Sequence, residues 1–393
     1  MTQYSINKLA ENIFAVGVKD WNRKLFDALI PLPHGTTYNA YLVKGNDKTA
    51  LIDTVQSGFE KELHDKINQV ADLNHLDYLI MNHAEPDHAG SIPYVLKNSN
   101  AKLIANEKGA KAAQLYYLTP QERIIVVKDG DTIDLGGKTL RFLETPMIHW
   151  PETMVTYCIE NKIVFPCDFF GAHTAFGFYD DENETLLSSA KSYFGEIMMP
   201  FRAMCKKALE KIKAHPIEII APSHGCVYRN PSRILELYEK WVDGKTAHKA
   251  ILVYVSMWNS TKTMIDAMAE SLLSEKIEVS LYNLVTADLG EVAKDLVDSR
   301  AIVLGTPTVL GGMHPVAIYG SYLVKLLKPP LQYGAVVSSY GWGPAAIKQA
   351  QEILGPAKIE IVGAVEVNGP PTENDLLKVM EIGKQLASKI KSS

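Results

Sequence analysis

Cysteine is scarce in this chain of 393 residues: there are four, Cys158, Cys167, Cys205 and Cys226, and no Cys-x-x-Cys pair. That spacing excludes a rubredoxin-type four-cysteine centre within the chain and argues against a disulfide framework. No uninterrupted apolar run reaches the length of a membrane helix. The opening Met1-Thr-Gln-Tyr-Ser-Ile-Asn-Lys lacks the basic and apolar regions of a signal peptide, so the expectation is a cytoplasmic protein with no membrane partner. Positive charge is not in excess either. A formal net charge of -5 gives no electrostatic footprint for nucleic acid. There is no Gly-x-Gly-x-x-Gly and no P-loop lysine, so dinucleotides and nucleoside triphosphates are poor fits. Internal repeats and low-complexity segments are absent. What remains, 47% hydrophobic and 22% charged, suits a globular chain of about two domains.

Against these absences stands one dense stretch, Met81-Asn-His-Ala-Glu-Pro-Asp-His-Ala-Gly90. It sets His83, Glu85, Asp87 and His88 within six residues, directly after the apolar run Leu76 to Ile80. The run reads as a buried strand, and Pro86 with Gly90 predicts an irregular loop at its end where side chains can converge on an ion. Histidine with carboxylate suits zinc, iron or manganese, and four ligands from one loop suit more than one ion. The bland alternative is a polar surface turn. Against it stand His149, Asp168 and His224, each at the end of a strand-like run: Lys138 to Leu143 before His149, Lys162 to Asp168, and Ile219 to His224. Any one of these alone reads as a capping or turn residue. The recurrence of one design at four loops favours a metal centre. Cys167 and Cys226 lie beside these positions, but strand alternation is expected to turn Cys167 away, leaving both as buried small hydrophobes.

The second half carries a separate signal. Lys249 to Ser256 is an apolar strand, Met257-Trp258-Asn259-Ser260-Thr261 a hydroxyl-rich loop, and Met264 to Leu273 a helical pattern. Backbone N–H groups at a helix start, with Ser and Thr hydroxyls, make a phosphate cradle that fits FMN better than a nucleoside triphosphate. Two further strands, from Ala301 and from Ala335, run into Gly-rich loops containing Pro307 to Gly311 and Ser339 to Gly343. One such loop is weak evidence, because αβ connections need glycine anyway. Three in order are strong.

Short strands with hairpin turns, mixed with helical patterns such as Gly58 to Val70 and Glu107 to Leu118, predict a layered α/β sandwich over residues 1-245. Regular strand–helix alternation over 249-393 predicts a doubly wound parallel sheet. The connection Asp243-Gly-Lys-Thr-Ala-His248 is too short for a long flexible linker. The bland, structural reading is given to His34 in a turn, His64 and His75 on or after a solvated helix face, His215 before proline and His248 in the linker. His173 is the exception: with Tyr193 it is a candidate to back the metal ligands or to donate protons.

In order, His83, Glu85, Asp87, His88, His149, Asp168 and His224 resemble the seven ligands of the flavodiiron proteins, within the metallo-β-lactamase superfamily, and the resemblance covers nearly the whole chain. It implies a metallo-β-lactamase-like αββα sandwich followed by a flavodoxin-like doubly wound sheet, two iron ions and FMN. It also implies that His83, Glu85 and His149 bind one iron, that Asp87, His88 and His224 bind the other, and that Asp168 bridges them. Zinc hydrolases of the superfamily carry histidine where Glu85 stands, and the added carboxylate favours iron. Ser256 to Thr261 resembles the flavodoxin phosphate loop. Pro307, Thr308, Val309, Leu310 and Gly311, with Ser339, Tyr340, Gly341, Trp342 and Gly343, would flank the flavin ring, with Trp258, Tyr340 or Trp342 near it.

The resemblance further implies reduction of dioxygen to water, of nitric oxide to nitrous oxide, or both, by a head-to-tail homodimer, possibly a tetramer. Many relatives bring a further His from the segment near Trp21, which here reads Trp21-Asn-Arg-Lys-Leu-Phe-Asp27. The segment from Ala28 to Tyr41 resembles enzymes that oxidise reduced deazaflavin F-420, the expected donor; a rubredoxin or an NADH-dependent reductase is the alternative. The rival readings are a zinc hydrolase of the same fold, against which Glu85 argues, and an electron carrier with a dead first domain, against which the full ligand set argues.

Overall fold

The computed structural model describes residues 4-355 and 358-392; the first three residues of the stretch read for a signal peptide lie outside them. Two compact units emerge. One joins the residues up to Phe194 with Phe201–Val242, and the other joins Gly195–Pro200 with the residues from Asp243 onward.

In the first unit a seven-stranded sheet runs in the order Asn7–Ala10, Ile13–Ala15, Tyr41–Lys44, Thr49–Ile52, Tyr78–Ile80, Lys102–Ala105 and Ile124–Val126. Its first pairings are antiparallel, and those from Thr49–Ile52 onward are parallel. A five-stranded sheet follows, Thr132–Asp134, Thr139–Glu144, Met154–Cys158, Ile163–Phe165 and Ile219–Ile220. Strand periodicity decides the layers. Ile52, Ile80 and Ile104 pack with Phe142, Met154, Ile163 and Phe165 between the sheets. Their neighbours Leu51, Leu79 and Leu103 point to the other face, against Leu63 and Ile67 of helix Glu60–Val70 and Ile92 and Val95 of helix Ile92–Lys97. This is the expected sandwich.

The second unit has five parallel strands in the spatial order Glu278–Asn283, Lys249–Tyr254, Ala301–Val309, Tyr333–Tyr340 and Glu360–Asn368. The first two strands in sequence are thus swapped at the edge, which is the flavodoxin-like order. The chain beyond Val309 folds back as Gly312–Met313 to make a tight hairpin. Helices Ser260–Ser274 and Glu373–Lys391 cover one face through Met264, Met268, Leu386 and Ile390.

Two local expectations are corrected. The loop after Ile80 is not irregular throughout: Pro86–Ala89 forms a short helix, because proline at its first position already has helical φ and lacks only an N–H that would go unpaired there. The strand before Asp168 stops at Phe165, and Cys167 has φ 52°, so strand alternation no longer governs it.

Candidate metal centre and second-unit cavity

The loops that carry the seven metal candidates follow the strands Tyr78–Ile80, Thr139–Glu144, Ile163–Phe165 and Ile219–Ile220. The first loop is tied down from both sides. Buried Asp53 accepts from the backbone N of Asn82 at 2.8 Å and from its side chain at 3.1 Å, and Thr54 donates to the His88 carbonyl at 2.6 Å. His224 precedes Gly225, whose φ of 80° suits glycine and whose N–H donates to Thr37 Oγ1 at 2.8 Å.

All seven side chains converge, and they divide at Asp168. Its Oδ2 lies 3.5 Å from His83 Nε2 and 3.6 Å from His149 Nε2, both of which also face Glu85 Oε2, at 3.1 and 3.2 Å. Its Oδ1 lies 2.9 Å from His88 Nε2 and 3.5 Å from His224 Nε2, and these face Asp87 at 3.4 and 3.1 Å. Two ligands of one ion, each about 2.0–2.2 Å from it, stand about 3 Å apart, so these are coordination-edge lengths. His83 Nε2 and Glu85 Oε2 hydrogen-bond to each other, but six of the other atoms pair with nothing. Both oxygens of Asp87 and of Asp168, and Nε2 of His88 and His224, are buried without a hydrogen-bond partner. Buried polar atoms left so in one cluster are a metal-centre signature.

Electrostatics agree. Burial disfavours a charged His83, but hydrogen bonds to Glu152 and Glu85 and the charge of Asp168 outweigh it and push the ring up to about 10. Against the same burial, Asp168 and Asp87 raise His88 to about 9, and Asp168 and Glu85 raise His149 to about 10. Burial pushes Glu85 and Asp168 up, yet the histidines hold both well below the usual carboxylate range. The imidazolium protons stand in for cations that the carboxylates require. The outer nitrogens are fixed as ligand histidines need. His83 Nδ1 meets Glu152 Oε1 at 2.7 Å, which also accepts from Ala84 N at 3.0 Å, and His224 Nδ1 meets the Thr37 carbonyl at 2.6 Å.

His173 is buried, with Nδ1 3.0 Å from Thr36 Oγ1 and its ring 4.8 Å from those of His224 and Tyr193. Its Nε2 has no partner. Burial, with the nearby His224, holds it well below the ordinary imidazole value. Cys167 is not turned away as expected: its thiol joins His88 and Asp168 in one cluster within 4.8 Å and accepts from Ser223 Oγ at 3.3 Å. Burial pushes that thiol well up. Glu152, Thr36 and Thr37 are site residues that sequence reasoning missed. Glu152 had a signal, an acid three residues after His149; the threonines had none.

In the second unit a cavity of about 450 Å³ opens at the carboxyl ends of the strands. Its walls include Ser256, Met257, Trp258, Ser260 and Thr261, then Pro307, Thr308, Val309 and Leu310, then Ser339, Tyr340, Gly341 and Trp342. Asn259, Gly311 and Gly343 are not among them: Asn259 turns at the helix start with φ 68°, and the two glycines border open space. Gly369 and Pro370, after the last strand, complete the wall and were not foreseen. The Asn259 side chain does not cap helix Ser260–Ser274; Ser256 Oγ instead accepts from Lys262 N at 3.2 Å, which sets a hydroxyl beside the N–H groups of a helix start, a place that suits an anion. Thr308 Oγ1 in the wall is buried without a partner, which suits a polar ring edge. The residues present therefore fit both groups.

A family model described as ODP family beta lactamase matches residues 36–225. The nitric oxide reductase of Moorella thermoacetica is 36% identical over 392 residues, 97% of this chain and 98% of that protein. The coenzyme F420H(2) oxidase of Methanocaldococcus jannaschii is 32% identical over 405 residues, 98% and 97% of the two chains. The solved rubredoxin oxygen:oxidoreductase of Desulfovibrio gigas matches with a TM-score of 0.95 at 30% identity, over 99% of each chain. Similarity to these enzymes over nearly the whole chain, added to a cluster of seven candidate ligands and a flavodoxin-like cavity, shows that this chain belongs to the flavodiiron family.

Proposed function

We propose that this protein is a flavodiiron oxidoreductase that reduces dioxygen to water, nitric oxide to nitrous oxide, or both, with electrons from reduced coenzyme F-420. The observation that carries this reading is the split of Asp168, one oxygen toward His83 and His149 and the other toward His88 and His224. A carboxylate so divided suits a bridge between two cations. His83, Glu85 and His149 would hold one iron, and Asp87, His88 and His224 the other. When bound, the irons would supply the site that binds and reduces the oxidant, and FMN the electron supply. The helix start at Ser260 and the hydroxyls of Ser256 and Thr261 would hold the FMN phosphate.

The chain's own residues add positioning and protons. Glu152 orients His83, and the Thr37 carbonyl orients His224. Thr36 Oγ1 can donate to Nδ1 of a neutral His173, which leaves the proton on Nε2, unpartnered and buried among the ligands. His173 is therefore read as a proton-holding group, with Tyr193, its ring 4.8 Å away, as the second candidate.

Trp258, Leu310 and Trp342, at 85%, 92% and 92% exposure, rim the second-unit cavity in a single chain. Apolar side chains that open suit cover by a second copy, which supports a head-to-tail homodimer. Anaerobic turnover with reduced F-420, NADH or reduced rubredoxin, against dioxygen and nitric oxide separately, tests donor and oxidant together. Purified protein that holds zinc but no iron or flavin, when made with iron available, would sink the proposal.

A further inference from the structure

Residues 25-31 form a small hairpin, with Leu25–Phe26 paired to Ile30–Pro31. Leu29 N bonds the Phe26 carbonyl at 3.0 Å, and Asp27 and Ala28 both have positive φ, 49° and 53°, as a type I′ turn requires. The tip is anchored from within. Phe26 is buried, its ring 4.8 Å from His173 and 6.2 Å from His224. Asp27, the next residue, is exposed. Its carboxyl is pushed up by partial burial and by the charges of Glu85 and Asp87, with His149 and Arg23 acting the other way. The hairpin thus fastens Phe26 against His173 and His224 and sets an exposed carboxylate on the very next residue.

That charge serves no fold purpose among the described residues: no hydrogen bond or ion pair of Asp27 supports the turn, and glycine or asparagine would adopt its φ as readily. It does oppose what the centre would otherwise do. Three ligand carboxylates against two iron ions leave a net positive centre, which draws anions. We infer that Asp27 is a specificity-determining residue whose carboxylate keeps anions from the metal centre and leaves it to neutral diatomic molecules. This rests on the proposed function and adds the residue that selects by charge.

The test uses iron-loaded, oxidised protein titrated with azide, a small monoanion, followed by the charge-transfer absorption of its iron complex at low ionic strength. Asp27→Asn and Asp27→Gly both keep the left-handed turn while removing the charge. Each should bind azide about three to ten times more tightly, as expected for one screened charge several ångströms away. Asp27→Glu should stay at the parent value, high salt should erase the gain, and nitric oxide affinity of the reduced proteins should change less than twofold. Azide affinity within twofold of the parent in both neutral variants, at parental iron content, overturns the inference. An iron-free parent overturns the functional reading beneath it and this inference with it.

Discussion

Each oxygen of Asp168 faces a different pair of imidazoles, so an amide there loses both the charge and the second acceptor. Asp168→Asn is expected to abolish oxidant reduction while FMN content stays at the parent level. Retention of more than roughly a tenth of the activity, about 1.4 kcal/mol of barrier, contradicts the bridging role. Glu152 works at one remove, through His83 Nδ1 and Ala84 N. Glu152→Ala should weaken retention of iron against a chelator by about 10- to 100-fold, with the second-unit flavin untouched. Iron loss at the parent rate would mean that the ring is held without it.

At the scale of elements, the two sheets of the first unit meet at their turns as well as their faces. The turn after Tyr41–Lys44 bonds the turn before Thr139–Glu144: Asn46 N to the Gly136 carbonyl at 2.8 Å and Asp47 N to the Leu135 carbonyl at 3.0 Å. Gly45 allows this approach, since a Cβ there would lie 1.8 Å from the Leu135 carbonyl oxygen. The obstacle is backbone, which cannot rotate away. Gly45→Ala should therefore cost about 3 kcal/mol, lowering the melting temperature of the first unit by roughly 6–12 °C. A shift below about 2 °C in calorimetry would show that the turns separate at little cost.

At the scale of the whole molecule, the proposed head-to-tail dimer predicts complementation. An Asp168→Asn chain lacks a working metal centre, and a chain with Ser256→Glu and Thr261→Glu sets like charges against the flavin phosphate. Neither homodimer should turn over. Their purified heterodimer holds one intact pair of centres across the two chains, and should regain about half the parent rate. An inactive heterodimer with correct cofactor content would mean that electrons pass within one chain.

Much was legible because the chemistry is local. His83, Glu85, Asp87 and His88 lie on one loop, and the loops of His149, Asp168 and His224 each follow an apolar strand, so residue type and strand end together marked the side chains that converge. Short strands mixed with helical patterns likewise indicated the layered sandwich, in which Leu51 and Leu79 face one side of the sheet and Ile52 and Ile80 the other. Backbone geometry limited this. Cys167 escaped because a left-handed residue after the strand end resets which way side chains point, and Gly195–Pro200 shows no pattern that assigns it to the second unit. Thr36, Thr37 and Phe26 reach the site from far away in sequence, and no spacing rule spans such distances. Periodicity and residue chemistry thus determined the layers and the donor set. Only the tertiary structure decided which oxygen of Asp168 faces which histidines and which side chains surround them, because those relations depend on how separate strands close in space.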